Sequence, residues 1–241
     1  MKKNIKSFIK RNLTITKLFA YVYNFGKYWR PPVTDINYLI NQIFKSSDKV
    51  FFLQIGANDG VSGNSFLRQY ILNNNWKGIL VEPVPHNFKK LVINYESIPG
   101  LFFENVGIGS EVGVQPFYHF SESSSSWHNE LGSFKKEILY NHNIANVDEI
   151  IITVEVPVLT ISSLLKKHGL RNVDIITIDT EGYDFEILKT IDYKAHKPSI
   201  ILYEHRHLSQ TDYKQSIKLL SQNNYSLYSE YGSDTIAVLN D

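Results

Sequence analysis

Glu82 closes the apolar run GILVEP roughly 20 residues after a glycine turn, GANDG, and an acid at that distance can hold the hydroxyls of a ribose. Gly56, Gly60 and Gly63 let the backbone turn sharply and come close to a ligand. A helix beginning near Gly63 then aims its free N–H groups at the same place. The pair of features points to a nucleoside site, although an ordinary strand–turn–helix with a chance acid downstream has the same appearance. Further along, Asp179, Glu181 and Asp184 form an acidic cluster. Its oxygens suit Mg²⁺, which also holds sugar hydroxyls, but capping and helix-dipole complementarity account for all three without a ligand. Glu204-His205-Arg206-His207 adds two imidazoles. His205 titrates near pH 6.5 when unperturbed, and beside Glu204 it is a candidate general base for a hydroxyl; a solvated histidine is the plainer account. A metal on Glu204, His205 and His207 is disfavoured, because residues two apart on a strand share a face that the third does not.

The elements that must position these groups alternate along the chain. Five of the six residues in Val50–Ile55 are apolar, as in a strand buried on both faces. Asp35–Ser46 has helical spacing ahead of it, and Phe66, Leu67, Tyr70, Ile71 and Leu72 make a helix after the glycine turn. Gly78–Glu82 is the second strand, Pro85 starts the next helix, and Leu101–Ile108 is the third strand. Gln115–Phe120 and Ile150–Leu159 are strand candidates on either side of a serine-rich stretch ending in Trp127 and His128. That stretch is either a linker or a lid whose Trp127 and His128 contact an acceptor. A helix over Thr160–His168 is capped by Thr160 or Ser162, and Val173–Ile178 is a strand ending on Asp179. Asp184–Leu188 opens a helix, Ser199–Tyr203 is a strand and Tyr213–Leu220 a helix. Ser226–Tyr231 and Thr235–Leu239 form a hairpin over Gly232-Ser233-Asp234. The alternation predicts an α/β doubly wound sheet, in which ligands bind beyond the carboxyl ends of the strands. Gly56, Glu82, Asn105, Asp179 and Glu204 should therefore converge on one crevice.

The 241 residues suit one such domain, 35–241, with 110–150 as an insertion. Residues 1–34 are a different object. They hold eight of the 25 Lys and Arg and no acid, leaving 17 basic against 24 acidic residues behind them. Ile5, Phe8, Ile9 and Leu13 fall at helical spacing among the lysines, and no uncharged run is long enough to cross a bilayer. The segment reads as a basic amphipathic arm. It lies on an anionic membrane surface, packs on its own domain, or contacts a second subunit in a homodimer. With no cysteine there is no disulfide framework and no thiol nucleophile. A net charge of +1, with the basic stripe outside the domain, argues against nucleic acid as partner. The expected location is cytoplasmic, or peripheral to the inner face of the membrane.

Three blocks carry a resemblance. Ile55-Gly56-Ala57-Asn58-Asp59-Gly60, then Val81-Glu82-Pro83-Val84-Pro85, then Ile178-Asp179-Thr180-Glu181-Gly182-Tyr183-Asp184-Phe185-Glu186-Ile187-Leu188 resemble the signature blocks of the FkbM-type S-adenosylmethionine-dependent methyltransferases. The order is the same, and the likeness runs from about Val50 to Glu204. Ser162 departs from it, standing where the family commonly has aspartate. The resemblance implies a Rossmann-like class I methyltransferase fold with seven strands, the last antiparallel. It implies that Gly56, Ala57, Asn58, Asp59, Gly60, Glu82, Pro83, Asn105 and Asp179 surround S-adenosylmethionine. Asn105 falls near the adenine in that alignment, or else satisfies local backbone. Asp179 faces the methionine amino group or the acceptor. The function read from this is methyl transfer to a hydroxyl, of a sugar in a glycan, glycolipid or glycosylated metabolite. His205, Glu204 and Asp179 are the catalytic candidates, and Trp127, His128, Glu181 and Tyr183 contact the acceptor. A metal is not required, with Asp179 and Glu204 as its ligands if Mg²⁺ binds. Two other readings stand beside it: a non-catalytic docking protein, and a nicotinamide-dependent oxidoreductase. The second is disfavoured because GANDGVSG is not GxGxxG and no Tyr-x-x-x-Lys pair follows.

Overall fold

A computed structural model describes residues 31–241, apart from 46, 48, 63–65, 122–127, 129–130, 142–143, 145, 231 and 241. The arm before residue 31, the start of the helix near Gly63, the serine run and Trp127 lie outside these residues. In chain order come α1 (Ile36–Phe44), β1 (Phe51–Ile55), α2 (Leu67–Asn74), β2 (Lys77–Val81), α3 (Pro85–Tyr95) and β3 (Leu101–Glu104). Then come β4 (Gly107–Ile108), β5 (Gly113–Phe120), β6 (Gly132–Ser133), α4 (Lys136–Tyr140), α5 (Val147–Ile150) and β7 (Ile151–Leu159). The last elements are α6 (Ile161–Lys167), β8 (Ile175–Ile178), α7 (Asp184–Thr190), β9 (Ile200–Glu204), α8 (Gln210–Gln222), β10 (Tyr225–Glu230) and β11 (Asp234–Leu239).

β1 lies in the interior of a seven-stranded sheet of order β10-β11-β9-β8-β1-β2-β3 because both its faces are covered. Leu53 and Ile55 join one apolar cluster with α6, α7 and α8, while Phe52 joins the other with α1, α2 and α3. The strands are parallel except β11, which runs antiparallel to β9 and to β10. The expected doubly wound sheet with an antiparallel last strand is present. At its β10 edge, Ser229 N–H donates to Pro32 O and Thr34 N–H to Ser229 O, each at 2.9 Å. Residues 32–34, grouped with the arm on charge, thus pair along the edge of the domain's sheet.

Two local expectations change, and one open choice is decided. Leu101–Ile108 is not one strand: β3 stays in the main sheet, and past Asn105 and Val106 the chain crosses to β4 in a second sheet of order β4-β7-β5-β6. The region 110–150 contributes to that sheet. The cap of α6 is Thr160, boxed with Ser163, while Ser162 Oγ instead meets His196 Nε2 at 3.1 Å. Asp234 is not in the hairpin turn but is the first residue of β11, opposite Glu204. No helix among the described residues is long and apolar enough to cross a membrane.

Candidate functional site

The ends of β1, β2 and β8 open onto a cavity of about 200 Å³, lined among others by Gly56, Asn58, Glu82, Val84, Phe134 and Asp179. Gly56 N–H and Ala57 N–H both donate to Val81 O, at 3.0 and 2.9 Å, and Asp179 N–H donates to Ile55 O at 3.0 Å. The turn is thereby clamped between β2 and β8. Gly56 has φ +79°, and a Cβ there would sit 1.7 Å from the Asp179 carbonyl oxygen. No other residue type fits.

Glu82 is buried, and its two oxygens are divided between two loops. Oε2 accepts from Asn58 N–H and Oε1 from Val84 N–H, each at 2.8 Å. The first bond holds Asn58 at φ 49°. Asn105 lies just past β3 and donates through Nδ2 to Glu82 O at 2.8 Å and Pro83 O at 3.0 Å, so its amide satisfies local backbone. Asp59 faces its own loop, accepting from Val61 N–H, Ser62 N–H and Ser62 Oγ. Burial works against its ionisation, but these bonds and Lys90 hold its carboxyl below the usual range. Asp59 and Gly60 shape the turn from behind; Gly60 O accepts from the Tyr95 hydroxyl.

Beyond β8 and β9 the acids gather. Glu181 lines the cavity with Asp179 and Asp234, and its φ of 49° with Gly182 at +88° makes a left-handed turn. Ser133 Oγ, from β6, donates to Glu181 O at 3.2 Å. Asp184, fully buried, is not the cap of α7, a place taken by Tyr183. Its Oδ2 reaches backward to accept from Thr180 Oγ1 and Gly182 N–H, both at 3.1 Å. His207 Nε2 is 3.2 Å from Glu181 Oε2 and 3.8 Å from Glu204 Oε2. His205 points elsewhere: its ring stacks on Tyr213 at 4.4 Å, and Nδ1 meets Thr235 Oγ1 at 3.0 Å. Leu208 N–H donates to His205 O, so the chain turns after β9 and the two histidines diverge.

The FkbM methyltransferase domain profile matches residues 54–227, spanning the glycine turn, Glu82 and the acidic block. The chain belongs to the FkbM methyltransferase family. No curated protein matches it. Among solved structures it is similar to the precorrin-6y C5,15-methyltransferase of Geobacter metallireducens, at 11% identity and TM-score 0.42, over 84% of this chain and 87% of that one. It is similar to an RNA methyltransferase from Salinibacter ruber in complex with S-adenosyl-L-homocysteine, at 9% identity and TM-score 0.40, over 86% and 94%. Fibrillarin of Aeropyrum pernix with natively bound S-adenosyl-L-methionine is a third, at 10% identity and TM-score 0.43, over 83% and 70%. S-adenosylmethionine is the cofactor of this FkbM-family chain.

The cofactor fits what the cavity offers. Gln54 on β1 and Thr177 on β8 stand in register and line the cavity, and each leaves a buried oxygen without a hydrogen-bond partner. Among the FkbM-block residues, Ala57, Pro83 and Asp179 are in the wall as well. Of the acceptor candidates, Glu181 is in the wall and Tyr183 packs behind it on Phe134, with ring centroids 5.1 Å apart. His128 packs on Phe120 at 5.6 Å, in the second sheet. Sequence reasoning missed Gln54, Thr177 and the Phe117–Phe134 pair, put Asp234 in a turn, and named His207 only in a disfavoured metal set with Glu204 and His205. A glutamine inside an apolar strand was the one legible signal among them.

The charges predict a pH response. Burial pushes the Glu82 carboxyl up to about 7, offset in part by the bonds from Val84 and Asn58 and reinforced by Asp179 and Asp59. Burial, then the charges of Asp179 and Glu230, raises Asp234 to about 7. Burial followed by Asp179, Glu181 and Asp234 raises Glu204 to about 9, against a smaller opposing effect of Arg206. Burial with Asp179 and Glu204 raises Asp184 well above the carboxylate range. An unfolded chain sheds these protons near pH 4 to 4.5, whereas the folded one keeps them, so stability from these groups falls as pH rises. The ligand-free protein should lose melting temperature steadily between about pH 5 and 9, with Glu204→Gln flattening the upper part of that fall. A melting temperature that is level or climbs across this window in differential scanning calorimetry contradicts the assignment.

Proposed function

We propose that this chain is an O-methyltransferase that moves the methyl group of S-adenosylmethionine to a hydroxyl of a sugar-type acceptor. The observation that carries the reading is the place of Asp179. Its backbone closes on Gly56 at the cofactor turn, while its charge acts on Asp184, Glu204 and Asp234 and raises the pKa of each. The cofactor turn, Asp179, Glu181 and Asp234 share one wall.

When bound, S-adenosylmethionine supplies an electrophilic methyl group: the acceptor oxygen forms the new O–C bond as the C–S bond breaks, and the electron pair leaves on sulfur. The protein aligns the acceptor and takes its proton. Glu82 orients the nucleoside end. Phe117 on β5 and Phe134, just past β6, line the cavity with apolar rings that help to keep water from a bound acceptor. We assign receipt of the hydroxyl proton to Asp179; Glu204 holds its own proton up to about pH 9 and His205 is turned onto Tyr213, so neither is given that role. Carboxylate oxygens in the wall accept from the remaining hydroxyls of a sugar, and the aromatic pair offers it an apolar face.

The test is calorimetric titration with S-adenosylhomocysteine and, in parallel, NAD, followed by methylation assays on a sugar panel. Binding of the homocysteine product alone, with methyl transfer lost in Asp179→Asn and retained in His205→Ala, supports the reading and names the base. NAD binding sinks it in favour of an oxidoreductase, and binding of neither ligand favours a docking protein.

A further inference from the structure

Glu181, Glu204 and His207 come from two separate segments, the turn after β8 and the tip of β9. Each offers one ligand atom, and these three atoms lie within 4.8 Å of one another. The 3.2 Å between His207 Nε2 and Glu181 Oε2 is close to the roughly 3.0–3.5 Å that separates two ligands of one first-row metal ion. The donors are half-buried rather than splayed in solvent: the His207, Glu181 and Glu204 side chains are 21%, 19% and 15% exposed.

A second observation comes from behind the triad. Asp184 is completely buried, carries its two hydrogen bonds on Oδ2, and leaves Oδ1 with no hydrogen-bond partner. Oε2 of Glu204, one of the three ligand atoms' carboxylates, is likewise buried without a hydrogen-bond partner. Buried carboxyl oxygens without a hydrogen-bond partner cost free energy unless a proton or a cation compensates them. Asp184 lies within electrostatic reach of Glu204 and Asp179.

We infer that Glu181, Glu204 and His207 form a binding site for a divalent first-row transition cation. One imidazole and two carboxylates suit Mn²⁺, Fe²⁺ or Zn²⁺, where an all-oxygen site would suit Mg²⁺. Three protein ligands leave further coordination positions open. Glu181 also lines the cofactor cavity, so the site shares a residue with it. The use of the ion, to seat the acceptor's oxygens and favour loss of a proton from one of them, rests on the methyltransferase reading. The site itself does not.

Mn²⁺ titrated into chelator-stripped protein, followed by electron paramagnetic resonance, tests the site without cofactor or acceptor. One Mn²⁺ per chain is expected, displaced by Zn²⁺, with affinity reduced at least about tenfold in both His207→Ala and Glu204→Gln. Glu186→Gln, a surface carboxylate paired with Lys189, should leave it unchanged. Calorimetry with S-adenosylhomocysteine shows that each variant is folded and reports on the methyltransferase reading separately. Absence of stoichiometric Mn²⁺ at millimolar concentration overturns the site. So does binding that survives both ligand variants in protein that still binds the homocysteine product, or binding that Glu186→Gln weakens equally.

Discussion

Gly56→Ala is expected to abolish S-adenosylhomocysteine binding and to lower unfolding stability by roughly 3 kcal/mol or more. Two independent costs combine. An alanine at φ +79° is strained wherever it sits, by about 1–3 kcal/mol. The added methyl also falls on the Asp179 carbonyl, which is backbone and cannot rotate away. Relief requires β1 and β8 to part, yet Asp179 N–H is bonded to Ile55 O at that point. The damage therefore reaches the cofactor turn and the acid-bearing strand together. Chemical denaturation gives the stability and calorimetry the binding; an alanine variant with wild-type affinity would mean that the cofactor does not use this turn.

Glu82→Ala is expected to weaken S-adenosylhomocysteine by about 100-fold or more, through two losses. Asn58 and Val84 N–H groups lose their acceptor, which frees a loop otherwise fixed at an unfavourable φ. The ribose loses its acidic partner as well. Glu82→Gln separates these contributions: a primary amide accepts through one oxygen only, so one of the two loop bonds goes while the side chain's volume stays. Gln should fall between wild type and Ala. Equal affinity in all three proteins would remove Glu82 from the cofactor site.

Much of this arrangement is legible because it rests on short-range signals. An apolar run ending in glycine, an acid at the tip of the next strand, and a dense acidic block each depend on a few neighbouring residues, and β1, Glu82 and Asp179 lie where those signals put them. What was not legible depends on how distant segments meet. Leu101–Ile108 is apolar enough for one strand, and its break at Asn105 is imposed by a second sheet that the sequence between 110 and 150 only partly announces. Asp234 looks like a turn residue beside Gly232 and Ser233, and becomes a site residue because the register with β9 starts one position earlier. His205 and His207 were indistinguishable by type; a hydrogen-bonded turn after β9 sends one toward Tyr213 and the other toward Glu181. Asp184 has the residue type of a helix cap and instead closes the turn behind it.

The bonds from residues 32–34 to Ser229 bear on how the protein behaves in company. They occupy the N–H and C=O of Ser229 on the outer side of β10, the strand that ends the sheet among the described residues. A chain shortened to begin at Asp35 would keep its cavity and its carboxylates, but would present β10 to its neighbours as a template for strand addition. Self-association at raised concentration, rather than loss of the cofactor site, is the liability that this short pairing holds off.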